Sequence, residues 1–286
     1  MAINILDKVR DGMSGFSKGQ KRIGDYLLSH YETAAYMTAA ALGTQAGVSE
    51  STVVRFAADL GFSGYPEMQR ALRDAVRTRL TSVQRVDVSN SLIGGASVLD
   101  TVLSEDAARI RDTLESIDRE AFAKAVDLIV GSRRLYIIGV RSSSSLADFL
   151  NYNLRMIFDN VRLVKTTSGS ELFEQLLSAG PGDVFIAISF PRYSSRIINA
   201  VEYAKRAGAD VISITDGPQS PLAPFTDQLL SARSGMVSFA DSLAAPLSIV
   251  NALLAAISRK CPELVRSRLE KLERIWDEFD VYTKKN

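Results

Sequence analysis

The stretch TAAALGTQAGVSESTVVRFAADLG, residues 38–61, decides the fold of the first part of this chain. Its apolar residues recur at the spacing of three and four that places them on one face of a helix. Gly47 interrupts this repeat where a tight turn between two helices needs a positive φ at low steric cost. We therefore predict a helix-turn-helix, in which the small Gly43 lets the two helices approach each other closely.

The start of the second helix carries the candidate DNA contacts. Ser49 stands where a side chain caps the helix, and Ser51, Thr52 and Arg55 fall on the face away from the apolar stripe. This is the end of such a motif that enters the DNA major groove. Arginine can read guanine, and hydroxyls can serve phosphates or base edges. The alternative is an ordinary helical hairpin, which becomes less favoured because residues 17–29 form another amphipathic helix that opens with a capping box.

Length and composition fit a protein of two domains. The chain has 286 residues, of which 46% are hydrophobic and 23% charged, and its formal net charge is +1. The first 85 residues hold 11 Lys and Arg against 8 Asp and Glu, a modest basic excess that agrees with a small DNA-binding head. The single cysteine, Cys261, excludes an intrachain disulfide, a zinc finger and a thiol redox pair. We expect neither a cofactor nor a metal.

The start of the chain and its longest apolar run indicate the compartment. Met1 leads into several charged residues rather than into a basic stretch followed by an apolar run, so no secretory signal is expected. The longest apolar stretch, residues 243–257, is about 15 residues long and is broken by polar residues, which makes it too short to span a bilayer. We therefore expect a cytoplasmic protein that does not enter a membrane.

The second part of the chain alternates strand-like and helix-like segments. LYIIG at 135–139, DVFIAIS at 183–189 and VISIT at 211–215 are apolar runs typical of buried parallel strands, and a shorter strand-like segment starts at Val161. Helical patterns separate them. This alternation predicts an α/β doubly wound parallel sheet joined to an all-α helix-turn-helix head.

Domain boundaries and assembly follow from the same patterns. Periodicity is lost between the two modules, which indicates a linker. A single helix-turn-helix head covers little DNA, so we expect a homodimer or homotetramer in which apolar helices make the contacts. The predicted domains are a head at 1–80, a linker at 81–97 and a sheet domain at 98–286, and the predicted contacts lie at 99–114, 243–257 and 262–279.

Polar loops follow two of the predicted strands, at the edge where parallel sheets bind ligands. Hydroxyls, arginines and the free N–H groups of a helix N-terminus together form an anion site, and phosphate is the usual anion. Either loop alone is more typical of a helix cap, but two loops in one sheet favour phosphate. A dinucleotide site is less favoured, because the second glycine of its motif is missing after Gly139. The candidate ligand-binding residues are Arg141, Ser142, Ser143, Ser189, Arg192, Tyr193 and Ser194.

Four segments together resemble a known family. The segments TVVRFAADLGFSGY, IIGVRSS, ISFPRYS and ITDGPQSPLA, in this order, are similar to those of the RpiR-type bacterial transcription regulators. Such regulators join an N-terminal DNA-binding head to a sugar isomerase (SIS) domain that senses a phosphosugar. The resemblance covers nearly the whole chain. It implies a regulator of carbohydrate-metabolism genes whose partners are double-stranded operator DNA and a phosphosugar effector.

The ligand loops depart from the pattern of that family. Its first loop commonly reads G-x-G-x-S, and Arg141 stands here in place of a glycine. Its second loop commonly reads S-x-S-G-x-T, of which Ser189 matches, Pro191 and Arg192 replace the Ser-Gly pair, and Ser194 takes the position of the threonine. Two added arginines suit an acidic sugar phosphate, since carboxylates and phosphates both accept bidentate arginine pairs.

Two other functions compete with this interpretation. A sugar-phosphate isomerase needs a group that moves a proton near the reacting carbons. The only histidine, His30, lies in the head, and the best available base is Glu171, which is equally typical of the first turn of a helix. We therefore expect ligand sensing without turnover and no catalytic residues. A purely structural interaction module would show no sequence-specific DNA binding.

Overall fold

The computed structural model describes residues 5–77, 80–93, 97–165, 169–236 and 238–282. The chain divides into two compact units. The head unit comprises Met1–Glu105 and Gly235–Ser242, and the sheet unit comprises Asp106–Ser234 and Leu243–Asn286. The chain therefore passes from one unit to the other three times. The domain boundaries set from the sequence stay a prediction.

The head unit is helical, as the sequence predicts. A capping box starts its second helix, because the Ser17 N–H donates to Gln20 Oε1 at 2.8 Å and the Gln20 N–H donates to Ser17 Oγ at 3.4 Å. Apolar stripes of the helices meet in one core, in which Leu42, Phe56 and Met68 are fully buried. The helices are α1 (Ile5–Gly12), α2 (Lys18–Ser29), α3 (Tyr31–Ala34), α4 (Ala39–Ala46), α5 (Glu50–Asp59), α6 (Tyr65–Arg77) and α7 (Ser82–Ile93).

Helix α7 occupies most of the segment in which the sequence showed no sustained periodicity. Its start is fixed by a second capping box, in which the Thr81 N–H donates to Gln84 Oε1 at 2.9 Å and the Gln84 N–H donates to Thr81 Oγ1 at 3.3 Å. Its buried side chains include Val88 and the charged Arg85, whose Nη1 lies 3.1 Å from Asp241 Oδ1 within the head unit. Tertiary contacts thus hold a helix whose own apolar pattern is weak.

The sheet unit contains five parallel strands in the order β2-β1-β3-β4-β5. This confirms the predicted doubly wound parallel sheet. The fifth strand was not predicted, because it is half-buried over most of its length and lacks the continuous apolar run of the inner strands. The strands are β1 (Arg134–Gly139), β2 (Val161–Leu163), β3 (Asp183–Ile188), β4 (Asp210–Thr215) and β5 (Gln228–Ser231).

Helices cover both faces of this sheet. One core contains side chains of α9, α10 and α13, and the opposite core contains side chains of α11 and α12. The apolar stripe of α13 packs inside the unit, since Val250, Leu253 and Ile257 are fully buried. The dimer contact at 243–257 stays a prediction that would need the other faces of this helix. Helix α8 (Val98–Ser116) starts in the head unit and ends in the sheet unit, and the other helices of the sheet unit are α9 (Arg119–Gly131), α10 (Ser143–Ile157), α11 (Gly169–Leu176), α12 (Ser195–Arg206), α13 (Ala244–Lys260) and α14 (Pro262–Glu278).

Within the described ranges, no helix is both long enough and apolar enough to be a candidate membrane span.

Candidate functional site

The turn between α4 and α5 has the geometry that a helix-turn-helix requires. Gly47 has φ 63° and ψ 41°, and its N–H bonds back to the carbonyls of α4. A Cβ on Gly43 would lie 2.9 Å from the carbonyl oxygen of Val48 and 3.3 Å from the backbone nitrogen of Glu50. Because both of these neighbours are backbone atoms, only glycine fits at Gly43 without a shift of one helix against the other.

A cluster of hydroxyls caps α5. Ser49 Oγ accepts a hydrogen bond from the Thr52 N–H at 3.3 Å, and it lies 2.8 Å from Thr52 Oγ1 and 2.9 Å from Ser51 Oγ. Arg55 follows Ser51 by one helical turn and is exposed, as are Ser49 and Ser51, whereas Thr52 is half-buried. The hydroxyls therefore fix one another, while Arg55 projects from the helix. Their roles at DNA stay predictions.

The predicted ligand loops leave neighbouring strands in opposite directions. From β1 the chain runs through α10 to β2, and from β3 it runs through α12 to β4, so the order of strands reverses between β1 and β3. Helices α10 and α12 accordingly contribute to the cores on opposite faces of the sheet. Ligands of doubly wound sheets bind in the crevice beyond the carboxyl ends of the strands at such a switch point.

The loop after β1 is compact and rich in serine. A Cβ on Gly139 would overlap the carbonyl oxygen of Ser143, so the first turn of α10 sits directly against the strand end. Ser143 is buried, Ser142 is exposed, and the Ser144 hydroxyl donates to the carbonyl oxygen of Arg141 at 2.7 Å. Ser142 occupies the cap position of α10, yet its hydroxyl makes no capping hydrogen bond.

The loop after β3 has a matching arrangement. Ser189 is buried and continues the strand pairing, because its N–H donates to the Ile214 carbonyl at 3.1 Å. Ser194 is the cap residue of α12, and its hydroxyl makes no capping hydrogen bond either. Neither Ser194 nor Ser142 therefore makes the hydrogen bond that defines a helix cap, so capping does not explain these two serines.

Both arginines of the loops adopt a left-handed backbone conformation. Arg141 has φ 57° and Arg192 has φ 65°, and both side chains are exposed. A residue with a Cβ pays roughly 1–2 kcal/mol in this region, whereas glycine does not. These are the positions at which the resembling family has glycine in G-x-G-x-S and in S-x-S-G-x-T. The backbone of both loops thus keeps the conformation suited to glycine, although arginine occupies it.

A carboxylate that the sequence analysis did not select lies beside the second loop. The Tyr193 hydroxyl donates to Asp216 Oδ1 at 2.5 Å, and the Thr215 hydroxyl lies 3.1 Å from the same oxygen. Thr215 Oγ1 also lies 2.9 Å from the hydroxyl oxygen of Ser220. Asp216 directly follows β4, so the rule that ligands bind beyond strand ends would have selected it.

The two residues considered for isomerase chemistry belong to different units of the chain. His30 is an exposed residue of the head unit, where its ring stacks on Tyr26 at a centroid distance of 4.7 Å. Glu171 lies in the first turn of α11, and residues 166–168 of the loop before it are outside the described part of the chain. The sheet unit itself contains no histidine, because His30 is the only one in the sequence.

Comparison with known proteins identifies both parts of the chain. Residues 3–79 match the helix-turn-helix domain of the rpiR family, and residues 128–256 match the SIS domain. The uncharacterized HTH-type transcriptional regulator YfhH of Escherichia coli is 28% identical over 216 residues, which cover 74% of this chain and 76% of YfhH. The HTH-type transcriptional regulator HexR of Pseudomonas aeruginosa is 25% identical over 77% of this chain and 75% of HexR.

A solved structure has the same fold. The Vibrio vulnificus NanR protein, solved as a complex with ManNAc-6P, matches with a TM-score of 0.60 at 24% identity, over 96% of this chain and 99% of that chain.

Proposed function

The chain belongs to the rpiR family of helix-turn-helix transcription regulators that carry a SIS domain, and from this premise we propose that a sugar phosphate bound at the carboxyl edge of the sheet controls its binding to operator DNA. It is a regulator rather than an enzyme, as its relatives are. The genes it controls belong, in this proposal, to carbohydrate metabolism. Since a transcription regulator acts on chromosomal DNA, we place it in the cytoplasm.

The observation that carries the ligand proposal is the pair of left-handed arginines. Arg141 and Arg192 flank the switch point of the sheet, where each occupies a conformation that disfavours a side chain. Strain of this kind persists where it serves a function. Two guanidinium groups beside the hydroxyls of Ser142 and Ser194 fit a ligand with more than one anionic group. A phosphorylated sugar acid, which carries a carboxylate as well as the phosphate, meets this description better than the phosphate of an uncharged sugar.

The remaining ligand contacts follow from the two loops. Ser143 and Ser189 are buried at the strand ends, where they define the floor of the crevice. Tyr193 and the Asp216 that it bonds offer a hydroxyl and a carboxylate to sugar hydroxyls. The fold-related NanR was solved with a sugar phosphate, ManNAc-6P, which agrees with this class of ligand.

DNA recognition is assigned to the exposed start of α5. In this proposal Arg55 reads a base edge, while the hydroxyls of Ser49, Ser51 and Thr52, which are linked to one another, contact phosphates or bases. Replacement of Arg55 by alanine should then cost about 1–3 kcal/mol on the preferred sequence and relax base preference. A uniform loss on all sequences would mean that Arg55 contacts phosphate only.

A homodimer or homotetramer is the assembly that suits this function. Leu99, Leu103 and Leu114 on α8 are between 59% and 66% exposed, although they belong to an apolar stripe that a stable helix buries. A second copy of the chain is the partner that would cover them. Leu103→Glu should shift the sedimentation coefficient toward that of a monomer, and a wild-type protein that sediments as a monomer at all concentrations would refute the assembly.

The ligand proposal is tested by mixing purified protein with a panel of neutral sugar phosphates and phosphorylated sugar acids. We expect at least one of them to raise the melting temperature and to change the affinity for a DNA sequence selected by the protein from a random pool. The double variant Ser189→Ala, Ser194→Ala should bind the DNA normally and lose the response. A full response in that variant would place the ligand elsewhere, and turnover of any of these compounds at ordinary enzyme rates would contradict a sensor without catalysis.

A further inference from the structure

Helix α2 carries a basic strip on the flank that faces the turn of the helix-turn-helix. Lys18 and Arg22 are four residues apart and therefore lie one above the other on the helix. Both are exposed, and within the described residues neither makes an ion pair or a hydrogen bond through its side chain. Two positive charges of the head thus stand in solvent on one line.

Four other cations of the head unit make contacts inside the molecule. Arg10 pairs with Asp7 at 2.9 Å, and Arg85 pairs with a carboxylate at 3.1 Å. Lys8 donates to a backbone carbonyl and lies over an aromatic ring, and so does Arg73. Lys18 and Arg22 differ from these four, because no acceptor of the described chain neutralises or binds them.

The position of Lys18 and Arg22 is fixed by contacts of α2 with α5 and with the turn before it. A Cβ on Gly19 would lie 3.4 Å from Thr52 Cγ2, so the first turn of α2 abuts the first turn of α5. A Cβ on Gly47 would overlap the guanidinium of Arg22, which therefore rests on the turn between α4 and α5. Gln20 Nε2 donates to Asp59 Oδ2 at 2.5 Å and ties α2 to the far end of α5.

Duplex DNA is the partner whose chemistry fits this placement. A recognition helix in the major groove has a phosphate backbone on either side, and that backbone carries one charge for about every 1.7 Å of duplex. Unpaired cations beside the inserted helix end are placed to meet those phosphates. We propose that Lys18 and Arg22 bind the DNA backbone next to the groove that α5 enters, an inference that rests on the DNA binding proposed above for α5.

The experiment is a salt titration of DNA affinity with full-length protein. The two probes are a duplex selected by the protein from a random pool and an unrelated duplex of the same length. Each phosphate contact adds about 0.9 to the slope of log K against log salt, which corresponds to about eightfold in affinity at 0.1 M salt. Arg22→Gln and Lys18→Gln should each reduce the slope by about 0.9 and weaken both probes equally, while the preference between the probes is kept.

Two further variants separate a phosphate contact from general effects. Arg10→Gln removes the same charge from the head unit, but Arg10 lies on α1 and is already paired with Asp7 at 2.9 Å, so the slope should stay at the wild-type value. Arg22→Lys keeps the charge and should retain most of the slope. A melting temperature measured for each variant shows whether the head is still folded.

The salt slopes and melting temperatures distinguish a phosphate contact from a role in stability. An unchanged slope in both Arg22→Gln and Lys18→Gln would overturn the proposed contacts, and a lower melting temperature with an unchanged slope would assign Arg22 to the stability of the turn instead. If the wild-type protein selects no sequence from the pool, the DNA-binding role of α5 fails first. If the wild-type protein selects a sequence and Arg55→Ala is the only variant that relaxes the preference, the DNA-binding role of α5 is supported. The salt slopes then test only the contacts proposed for Lys18 and Arg22.

Discussion

Replacement of Arg192 by glycine should separate the effect of this left-handed arginine on stability from its effect on ligand affinity. The backbone of Arg192 has φ 65° in the loop between β3 and α12. Glycine removes a steric cost of roughly 1–2 kcal/mol in the folded state. It also gives the unfolded chain more freedom, which costs about 0.5–1 kcal/mol. These two backbone effects should together change the free energy of unfolding by between zero and about 1.5 kcal/mol in favour of the variant.

The effect on the ligand should have the opposite sign. A hydrogen bond to a charged group contributes about 1.5–3 kcal/mol, which corresponds to about 10- to 150-fold in affinity. Arg192→Gly is therefore expected to bind a phosphorylated sugar acid at least tenfold more weakly while it unfolds at the same urea concentration or a higher one. Arg192→Lys should keep part of the affinity but none of the gain in stability, because the Cβ remains.

Urea unfolding followed by circular dichroism gives the first quantity, and isothermal titration calorimetry gives the second. Arg155→Ala is the matched control, because Arg155 is an exposed arginine in the last turn of α10, at the end of that helix away from the ligand loop. It should change neither ligand affinity nor the response at DNA. If Arg192→Gly binds the ligand as tightly as the wild type does, the left-handed arginine has no part in recognition and the reasoning from strain to function is wrong.

Three further predictions concern the head unit. Gly43→Ala should destabilise the protein by about 1–3 kcal/mol in urea unfolding, because the added methyl meets backbone 2.9 Å away, and a neutral result would disprove the tight crossing of α4 and α5. Asp241→Ala should cost about 3 kcal/mol, since it removes the carboxylate paired with the buried Arg85; a loss below 0.5 kcal/mol would show that the pair is not formed. Hydrogen bonds from the Ser63 backbone and hydroxyl lower the pKa of Glu67 from its ordinary value. This stabilisation is present above the ordinary pKa and is lost as the pH falls through the lowered value, so Glu67→Gln should flatten the fall in stability on the acid side of the ordinary pKa, which thermal melts over a series of acidic pH values will check.

Much of the fold could be predicted because its signals are local. A hydroxyl cap with glutamine three residues later starts α2, a glycine with positive φ ends α4, and continuous apolar runs form β1, β3 and β4. Each of these signals depends on backbone geometry within a few residues, so a single sequence contains it. The same holds for the polar loops, since residues after a parallel strand must lie at the carboxyl edge.

The tertiary structure decided features that depend on residues far apart in the chain. Helix α7 has a weak apolar pattern and is held by partners such as Asp241, which lies 156 residues from Arg85. Tyr193 meets Asp216 only because β3 and β4 are neighbours in the sheet. The left-handed conformation of Arg192 also goes against the preference of its residue type, so surrounding contacts must impose it. Sequence periodicity reports which face of an element is apolar, but the element that covers that face is chosen by packing, which no local pattern contains.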